Sequence, residues 1–277
     1  MGRRPPHRDS KHQPPRKSEP QRGAARPAAR PVKPEATEGE LIYGLRAVLA
    51  VVETRPSDVL RAGYDAALER ELRQALKTFA ASGVPCQPLP NAELSRLAQS
   101  DQHEGLLLEV RPRKFMPPAA LAELLVKKRG LAVAFDRVRN PYNVGAVLRT
   151  AAFFGVDAAL LGTPAPHPAL PPLAVRVAEG GAEHLALCRT TDLADTLSRL
   201  RNAGVLVVGA EDYGASAVAT VASKRPLMLV LGHEREGLSE RVRAQCDAVV
   251  AIKGSGKVRS LNVSIAASIL IAQLAER

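Results

Sequence analysis

The stretch that decides the fold is residues 229–238, LVLGHEREGL, in which a short apolar strand runs directly into a turn with two glycines. Residues 248–264, AVVAIKGSGKVRSLNVS, show the same arrangement further along the chain. A third case lies upstream at residues 140–149, NPYNVGAVLR, where a turn opens a helix. Because the turns that follow parallel strands meet at one edge of a sheet, the three loops predict a single ligand site.

Strands and helices alternate from residue 119 onward. Short apolar runs predict strands at 131–135, 157–161, 184–188, 204–209, 227–231 and 248–252. Segments with apolar residues at helical spacing predict helices at 119–128, 144–155, 191–202, 238–245 and 260–275. Alternation of this kind is typical of an α/β fold with a mostly parallel sheet covered by helices on both faces.

A smaller α/β domain is predicted at residues 41–111. Helices are predicted at 44–53, 65–81 and 91–99, and extended segments at 59–62, 84–89 and 105–110. Residues 112–118 form the predicted linker, since their prolines disfavour helix and block strand pairing. Residues 1–40 hold ten Lys and Arg and eight of the 22 prolines, which predicts a disordered basic tail. Such a tail either adds phosphate contacts or only keeps the chain soluble.

The composition points to a polyanion as the partner. The net charge of the 277-residue chain is +11, which is the electrostatic signature of a protein that binds nucleic acid. Aromatic residues make up only 3% of the chain and Trp is absent. Recognition is therefore expected to depend on phosphate contacts and shape, and not on stacked bases.

Several classes of protein are excluded by the sequence. No apolar run reaches the ~18–20 residues of a membrane span, and the basic, Pro-rich start lacks the apolar core of a secretory signal. Cys86, Cys188 and Cys246 are too widely spaced for a zinc site or a disulfide framework, so free buried thiols and no metal are expected. A cytoplasmic protein that contacts no membrane is the simplest interpretation.

Asn143 and Arg149 are candidate site residues on the predicted helix 144–155. Asn143 stands where the helix begins, so its ordinary role would be an N-cap. An Arg side chain leans toward the amino end of its helix, over positions that here hold the small residues Gly145 and Ala146. Arg149 therefore has an open path to the helix mouth, where anions are favoured; a solvated Arg is the alternative interpretation.

Glu234, Ser260 and Asn262 are the candidates in the other two loops. Glu234 directly follows an uninterrupted apolar strand, and an ordinary surface carboxylate is the alternative interpretation. Ser260 is predicted to cap the last helix. Asn262 stands near the loop in an otherwise apolar segment, and is therefore expected to meet a ligand.

The three loops together resemble the motifs of a known family. They are similar to motifs one, two and three of the SpoU (TrmH-type) RNA ribose 2′-O-methyltransferases of the SPOUT superfamily, and they occur in the right order over residues 119–277. Residues 41–111 are more loosely similar to the ribosomal-protein-like substrate-binding domain of that family. The segments that carry the resemblance are Asn143-x-Gly145-x3-Arg149, Leu229 through Leu238, and Ile252 through Ser264.

The resemblance implies a fold and a reaction. It implies a C-terminal trefoil knot, S-adenosylmethionine bound in the knot, and a homodimer whose two subunits complete the site. The implied enzyme transfers a methyl group to a ribose 2′-hydroxyl of RNA, and the separate domain at 41–111 favours ribosomal RNA over transfer RNA. The positions that match the cofactor site are Leu231, Gly232, Ile252 and Leu261, and those that match the methyl-transfer site are Asn143, Arg149, Glu234, Ser260 and Asn262.

The family gives the Arg at position 149 a central role in the reaction. A guanidinium keeps its proton in proteins, so we expect Arg149 to orient the ribose hydroxyl and to stabilise the developing alkoxide. Either Glu234 or a phosphate oxygen would then take the proton. Lys253 departs from the family pattern, which often has an apolar residue there, and it either alters the cofactor loop or adds a phosphate contact.

Other functions stay open at this point. A transfer RNA methyltransferase and a catalytically silent RNA-binding protein would both have the same fold. A nicotinamide-dependent enzyme is a further alternative, suggested only by the α/β alternation and by Gly254-Ser255-Gly256. That motif is a weak match to the dinucleotide fingerprint, because Arg259 stands where the third glycine is needed.

Overall fold

Residues 40–110 form a four-stranded sheet with three helices packed against it. The computed structural model describes residues 39–162, 170–212, 218–221 and 225–276. The elements of this first part are β1 (Glu40–Tyr43), α1 (Leu45–Thr54), β2 (Val59–Tyr64), α2 (Arg73–Ala81), β3 (Cys86–Pro88), α3 (Asn91–Ala98) and β4 (Leu106–Val110). The strand order is β1-β4-β2-β3; β2 and β3 are parallel, and the other two pairs are antiparallel.

Two predictions for this first part need correction. The strand β1 was not predicted, and it begins at Glu40, which the sequence assigned to the tail; residues 1–38 lie outside the described residues. The predicted helix 65–81 is wrong over its first half. There the side chain of Asp65 accepts a hydrogen bond from the N–H of Ala67, 2.9 Å away, and opens a short 3₁₀ turn before α2 begins.

The apolar runs after residue 119 form a six-stranded parallel sheet. Its strands are β5 (Leu131–Phe135), β6 (Ala158–Leu161), β7 (Ala186–Arg189), β8 (Leu206–Ala210), β9 (Leu227–Leu231) and β10 (Ala248–Val250). The strand order is β10-β8-β9-β5-β6-β7, and every neighbouring pair is parallel. The prediction of an α/β fold with a mostly parallel sheet is therefore confirmed.

Helices cover both faces of the parallel sheet, which explains why its strands are apolar throughout. Alternate residues of a strand point to opposite faces, so Val133 and Leu229 face one hydrophobic cluster, and Ala132 and Met228 face the other. The helices are α4 (Pro118–Lys128), α5 (Pro141–Phe153), α6 (Pro172–Val177), α7 (Leu193–Asn202), α8 (Val218–Val221), α9 (Glu240–Arg243) and α10 (Val263–Ala275). The first cluster contains side chains of α5, α6 and α10, and the second contains side chains of α4, α7 and α9.

The helix boundaries differ from the prediction where proline or a competing cap is present. α5 begins at Pro141 and not at 144, because proline suits the first helical position. α10 begins at Val263 and not at 260, and α9 is limited to four residues. α6 was not predicted from the sequence. No helix in the described part of the chain is long and apolar enough to cross a membrane.

A buried ionic cluster connects the four-stranded part to the segment after α6. The carboxylate of Glu183 lies 2.8 Å from Nε of Arg55 and 2.8 Å from Nη2 of Arg113, and its side chain is only 3% exposed. Burial alone would raise the pKa of Glu183, but the charges and hydrogen bonds of Arg113 and Arg55 outweigh burial and hold it below the ordinary value. Glu183 is therefore ionised at neutral pH.

We expect acid to weaken this cluster. Because the folded-state pKa of Glu183 is lowered, its contribution to stability is complete above the ordinary value of 4.5 and is lost as the pH falls through the lowered pKa. Glu183→Gln should reduce the free energy of unfolding at neutral pH by about 2 kcal/mol, because it leaves two largely buried guanidinium groups with only the more distant carboxylates of Glu40 and Asp58. Urea unfolding of both proteins at neutral pH and near pH 3 measures the difference, which should shrink in acid; a constant difference contradicts the assignment.

Candidate active site

The loops after β5, β9 and β10 lie at the carboxyl edge of the parallel sheet. β5 and β9 are neighbours, and β8 separates β9 from β10. All three strands run in the same direction, so the segments that leave them emerge on the same side. This is the edge at which open α/β sheets bind ligands.

Asn143 lies in the first turn of α5 and is buried, with 7% of its surface exposed. The cap of α5 is Asn140, whose side chain accepts a hydrogen bond from the N–H of Tyr142, 2.9 Å away. The ordinary alternative for Asn143, an N-cap role, is therefore excluded. Its amide is turned inward instead and is available to the site.

The loop after β9 is narrow and places Glu234 at its tip. His233 and Gly237 exchange two backbone hydrogen bonds of 3.0 and 2.9 Å across the loop. A Cβ on Gly232 would lie 2.4 Å from the carbonyl carbon of Gly237, so only glycine fits there. These contacts close the base of the loop and fix the position of the Glu234 backbone.

Asp136 and Arg137, directly after β5, bind the loop that follows β9. The buried carboxylate of Asp136 accepts a hydrogen bond from the N–H of Ser239, 2.6 Å away. Arg137 donates to the carbonyl oxygen of Gly237, 3.1 Å away, and pairs with Glu236. Neither residue was predicted from the sequence, although a charged pair placed directly after an apolar strand is a signal that could have identified them.

Asn262 is the cap of α10. Its Oδ1 accepts hydrogen bonds from the backbone N–H of Ser264 at 2.8 Å and from the hydroxyl of Ser264 at 2.6 Å. The prediction that Ser260 caps this helix is therefore wrong. Ser260 is exposed, and within the described residues it makes no hydrogen bond.

Three of the five predicted methyl-transfer residues form one hydrogen-bonded chain. Nδ2 of Asn262 donates to Oδ1 of Asn143 over 3.1 Å, and Nδ2 of Asn143 donates to Oε1 of Glu234 over 2.6 Å. Every donor in this chain points toward the carboxylate. The chain therefore aligns two amide dipoles on Glu234 and leaves its second oxygen, Oε2, free of a hydrogen bond from the described residues.

Arg149 does not contact this chain of three residues, here called the Asn-Glu-Asn triad (Asn143, Glu234 and Asn262). Six helical positions separate Arg149 from Asn143, which corresponds to ~9 Å along the axis and a different side of the helix. Arg149 lies on the outer face of α5, and its Nη1 is 2.8 Å from Oε1 of Glu179. Within one chain, the structure therefore brings neither Arg149 nor Ser260 to the triad.

The loop after β10 has the properties of a binding loop for a nucleoside-like ligand. Among the described residues, no backbone N–H from 251 to 261 donates to a backbone carbonyl. A Cβ on Gly254 or Gly256 would meet nothing within 4 Å, and Leu261 is 49% exposed. Backbone N–H groups without backbone partners, beside an apolar side chain, suit a ligand with both polar edges and an apolar face. The predicted cofactor residues Ile252 and Leu261 belong to this loop, whereas Leu231 is buried at the end of β9, next to Gly232.

The cysteines take no part in this site. All three are free thiols, and burial raises the pKa of Cys188 and of Cys246 to about 11, so both are protonated at neutral pH. Within the described ranges, no group of three His, Cys, Asp or Glu residues could hold a metal ion.

Comparison with known families identifies the chain. Residues 130–272 match the SpoU rRNA methylase family, and residues 41–116 match a family described as RNA 2′-O ribose methyltransferase substrate binding. The chain belongs to the SpoU rRNA methylase family. The resemblance predicted from the three loops is thereby confirmed, and so is the prediction of an RNA-methylating enzyme. The triad therefore lies within the methylase region of a SpoU protein.

Relatives and solved structures support this membership. A protein of Mycobacterium ulcerans named an uncharacterized tRNA/rRNA methyltransferase is 32% identical over 251 residues, which cover 90% of this chain and 80% of the relative. The SpoU methyltransferase AviRb from Streptomyces viridochromogenes, solved with AdoMet, is 24% identical and has a TM-score of 0.73 over 86% of this chain and 90% of its own. An rRNA methyltransferase from Sinorhizobium meliloti has the same TM-score at 22% identity, over 87% of this chain and 88% of its own. These structures have the same SpoU fold.

Proposed function

We propose that this SpoU protein transfers a methyl group from S-adenosylmethionine to a ribose 2′-hydroxyl of ribosomal RNA. The observation that carries the proposal is the Asn-Glu-Asn triad. It places a carboxylate with one free oxygen at the carboxyl edge of a parallel sheet, beside a loop whose described backbone N–H groups donate to no backbone carbonyl. A hydroxyl that is methylated must lose its proton, and a fixed carboxylate oxygen is suited to accept it.

The residues after β9 and β10 fit the cofactor. The backbone of the loop from Ile252 to Leu261 would hold its polar edges, Leu261 its apolar face, and the tight turn at Gly232 would leave room beside β9. S-adenosylmethionine supplies a methyl group already activated on a sulfonium centre, so the protein must mainly position the two reactants. The trefoil knot of the proposed fold would bring these two loops together. AviRb, which shares the fold, was crystallised with AdoMet.

Glu234 is the proposed proton acceptor. Its Oε1 is held by the amide of Asn143, which is fixed in turn by the cap residue Asn262. The second oxygen, Oε2, is 4.0 Å from Nε2 of His233, a distance that is too long for a hydrogen bond. Oε2 is therefore free to accept the hydroxyl proton while Asn143 keeps the carboxylate in place.

Arg149 is proposed to bind the target phosphate and to stabilise the alkoxide that develops. Its guanidinium keeps its proton and presents several donors in one plane. Because the triad of the same chain lies on another side of α5, the two parts of the site would meet across a homodimer. The exposed face of α5 that carries Arg149 also carries Tyr142, 48% exposed, and Phe153, 81% exposed. Exposed aromatic residues of this kind are typical of an interface.

Disrupting this face should separate the subunits. Phe153→Asp places a charge in the proposed interface, and we expect a monomer that has lost at least 100-fold in methyl transfer, because one chain lacks the complete site. Sedimentation velocity and a methyl-transfer assay measure the two effects. Val126→Asp is the matched control, since Val126 is 45% exposed on α4, on the other face of the sheet. A Phe153→Asp protein that stays dimeric and fully active would contradict the interface.

The edge around the triad has the charge expected of a surface that binds RNA. Five basic side chains lie in the three loops, are exposed, and within the described residues pair with no carboxylate. They are Arg139, Arg235, Lys253, Lys257 and Arg259. Phosphate contacts from such residues make binding strongly dependent on salt. The residues matching the substrate-binding family, 41–116, would hold a further part of the RNA.

The function is tested with RNA from cells that lack this gene. The purified protein, methyl-labelled S-adenosylmethionine and either ribosomal or transfer RNA are incubated, and 2′-O-methyl sites are mapped by their resistance to alkaline cleavage. Label in a ribose of ribosomal RNA is the expected result. Label in transfer RNA supports the second candidate, which the names of the mycobacterial relatives also include. Absence of both transfer and cofactor binding, measured by calorimetry, would identify a silent RNA-binding protein.

A further inference from the structure

Arg149 is held by a carboxylate that the sequence analysis did not single out. Nη1 of Arg149 lies 2.8 Å from Oε1 of Glu179, in the segment that follows α6. The two side chains are 56% and 41% exposed, and ion pairs with this exposure contribute little to stability. Stability alone therefore gives no reason for this pair, whereas its position decides where the guanidinium lies.

The backbone of Glu179 adopts a conformation that a glutamate ordinarily avoids. Its φ is +45° and that of Gly180 is +91°, and the N–H of Gly181 donates to the carbonyl of Ala178 over 2.8 Å, as in a type I′ turn. Gly, Asn and Asp are preferred at the central positions of such a turn. A residue that keeps positive φ against its own preference is held by its surroundings, and such residues are concentrated at functional sites.

This turn is wedged between two helices. A Cβ on Gly181 would lie 2.9 Å from Cα of Arg149, and a Cβ on Gly180 would lie 2.8 Å from Cβ of Ala50 in α1. Shortly after the turn, the buried carboxylate of Glu183 is bound by two arginines. The backbone of Glu179 is therefore held in place against α1 and α5, and its side chain starts from a fixed point beside Arg149.

We propose that Glu179 is a positioning residue for Arg149, an inference that rests on the role given to Arg149 under the proposed function. One nitrogen of the guanidinium is held by Glu179, and the remaining N–H groups are left free to donate to a phosphate or alkoxide oxygen. A long side chain that is ordered beforehand loses less entropy in the transition state. Glu179 thus acts on the reaction through Arg149, without contact with the RNA.

The test compares three variants of Glu179 in the full-length protein. Glu179→Gln keeps the length of the side chain and removes the charge, and Glu179→Asn also introduces the preferred Asn-Gly sequence of a type I′ turn. We expect both to lower kcat by roughly 10- to 100-fold, since small misplacements of a catalytic group have effects of this size. KM for RNA should not rise, because a carboxylate does not attract phosphate. Glu179→Asp, which keeps the charge and tolerates positive φ, should recover part of kcat.

Stability separates positioning from a merely structural role. The Tm of Glu179→Asn should equal or exceed that of the wild type, because the turn is relieved of strain while kcat falls. Asp195→Asn is the matched control, since Asp195 forms a similarly exposed pair with Arg199 on α7, 2.9 Å apart, and should leave kcat unchanged. A kcat within twofold of the wild type for Gln and Asn, a rise in kcat, or a fall in Tm that parallels the loss of activity would each overturn the proposal.

Arg149→Ala, measured in the same assay, distinguishes this proposal from the function on which it rests. If Arg149→Ala is inactive and the Glu179 variants are fully active, only the positioning role fails. If Arg149→Ala is active, the role of Arg149 in methyl transfer fails, and the positioning role fails with it. The NMR signals of the Arg149 Nη–H groups give a readout without RNA or cofactor: because Nη1 is the atom that contacts Glu179, we expect restricted rotation of the guanidinium in the wild type and free rotation in Glu179→Gln.

Discussion

Arg149→Ala should lower kcat for methyl transfer by a factor of about 10³ or more while changing cofactor affinity by less than about threefold. The loss is large because the guanidinium stabilises negative charge that exists only in the transition state. Cofactor affinity is expected to be preserved because the proposed partners of Arg149 are the RNA phosphate and the developing alkoxide, and not the cofactor. Single-turnover kinetics and calorimetry with S-adenosylmethionine measure the two quantities.

Arg149→Lys tests whether charge alone is sufficient. A lysine ammonium is a point charge without the planar fork, so we expect a loss close to that of alanine. Arg199→Ala is the control, because Arg199 is also an exposed helical arginine paired with a carboxylate, and it should leave kcat unchanged. Normal turnover of Arg149→Ala combined with weakened cofactor binding would reverse the assignment and place Arg149 in the cofactor site.

Glu234→Gln should lower kcat by about 10²- to 10⁴-fold, the range expected when a general base is removed. The amide oxygen of glutamine can still accept the hydrogen bond from Asn143, so the shape of the triad is preserved and only the ability to take a proton is lost. We therefore expect little change in cofactor affinity or Tm. Single-turnover methyl transfer, calorimetry and thermal unfolding measure the three quantities.

Glu240→Gln is the control for Glu234→Gln. Glu240 is an exposed carboxylate at the start of α9, shortly after the same loop, and we expect it to have no effect on kcat. If Glu234→Gln keeps its activity, Glu234 is not the proton acceptor, and a phosphate oxygen of the RNA takes that role. The triad would then serve only to join the three loops.

The convergence of the three loops was predictable from the sequence, but which of their asparagines and serines would cap the helices was not. Asn140 and Asn143 are both good N-cap residues, and Pro141 decides between them because it suits the first helical position. Ser260 and Asn262 present the same ambiguity at α10, where the structure selects Asn262. Propensity shows which residue types favour the N-cap position. It does not show which of two nearby candidates in the sequence occupies that position.

The partner of Arg149 was beyond sequence reasoning for a different reason. The contact between Arg149 and Glu179 exists only because the turn after α6 packs against α5, and α6 itself was not predicted. The same holds for Glu183, whose partners Arg55 and Arg113 are distant along the chain. Contacts of this kind depend on tertiary packing, which neither periodicity nor spacing encodes.

Gly145 lets α5 pack closely against α6. A Cβ at this position would lie 2.5 Å from the carbonyl oxygen of Ala174 in α6, so no side chain fits unless the helix moves. Asn143 and Arg149 both lie on α5, so a displacement of this helix would move both residues together. Inactivating substitutions selected at random should therefore be found at residue 145, although it touches no reactant.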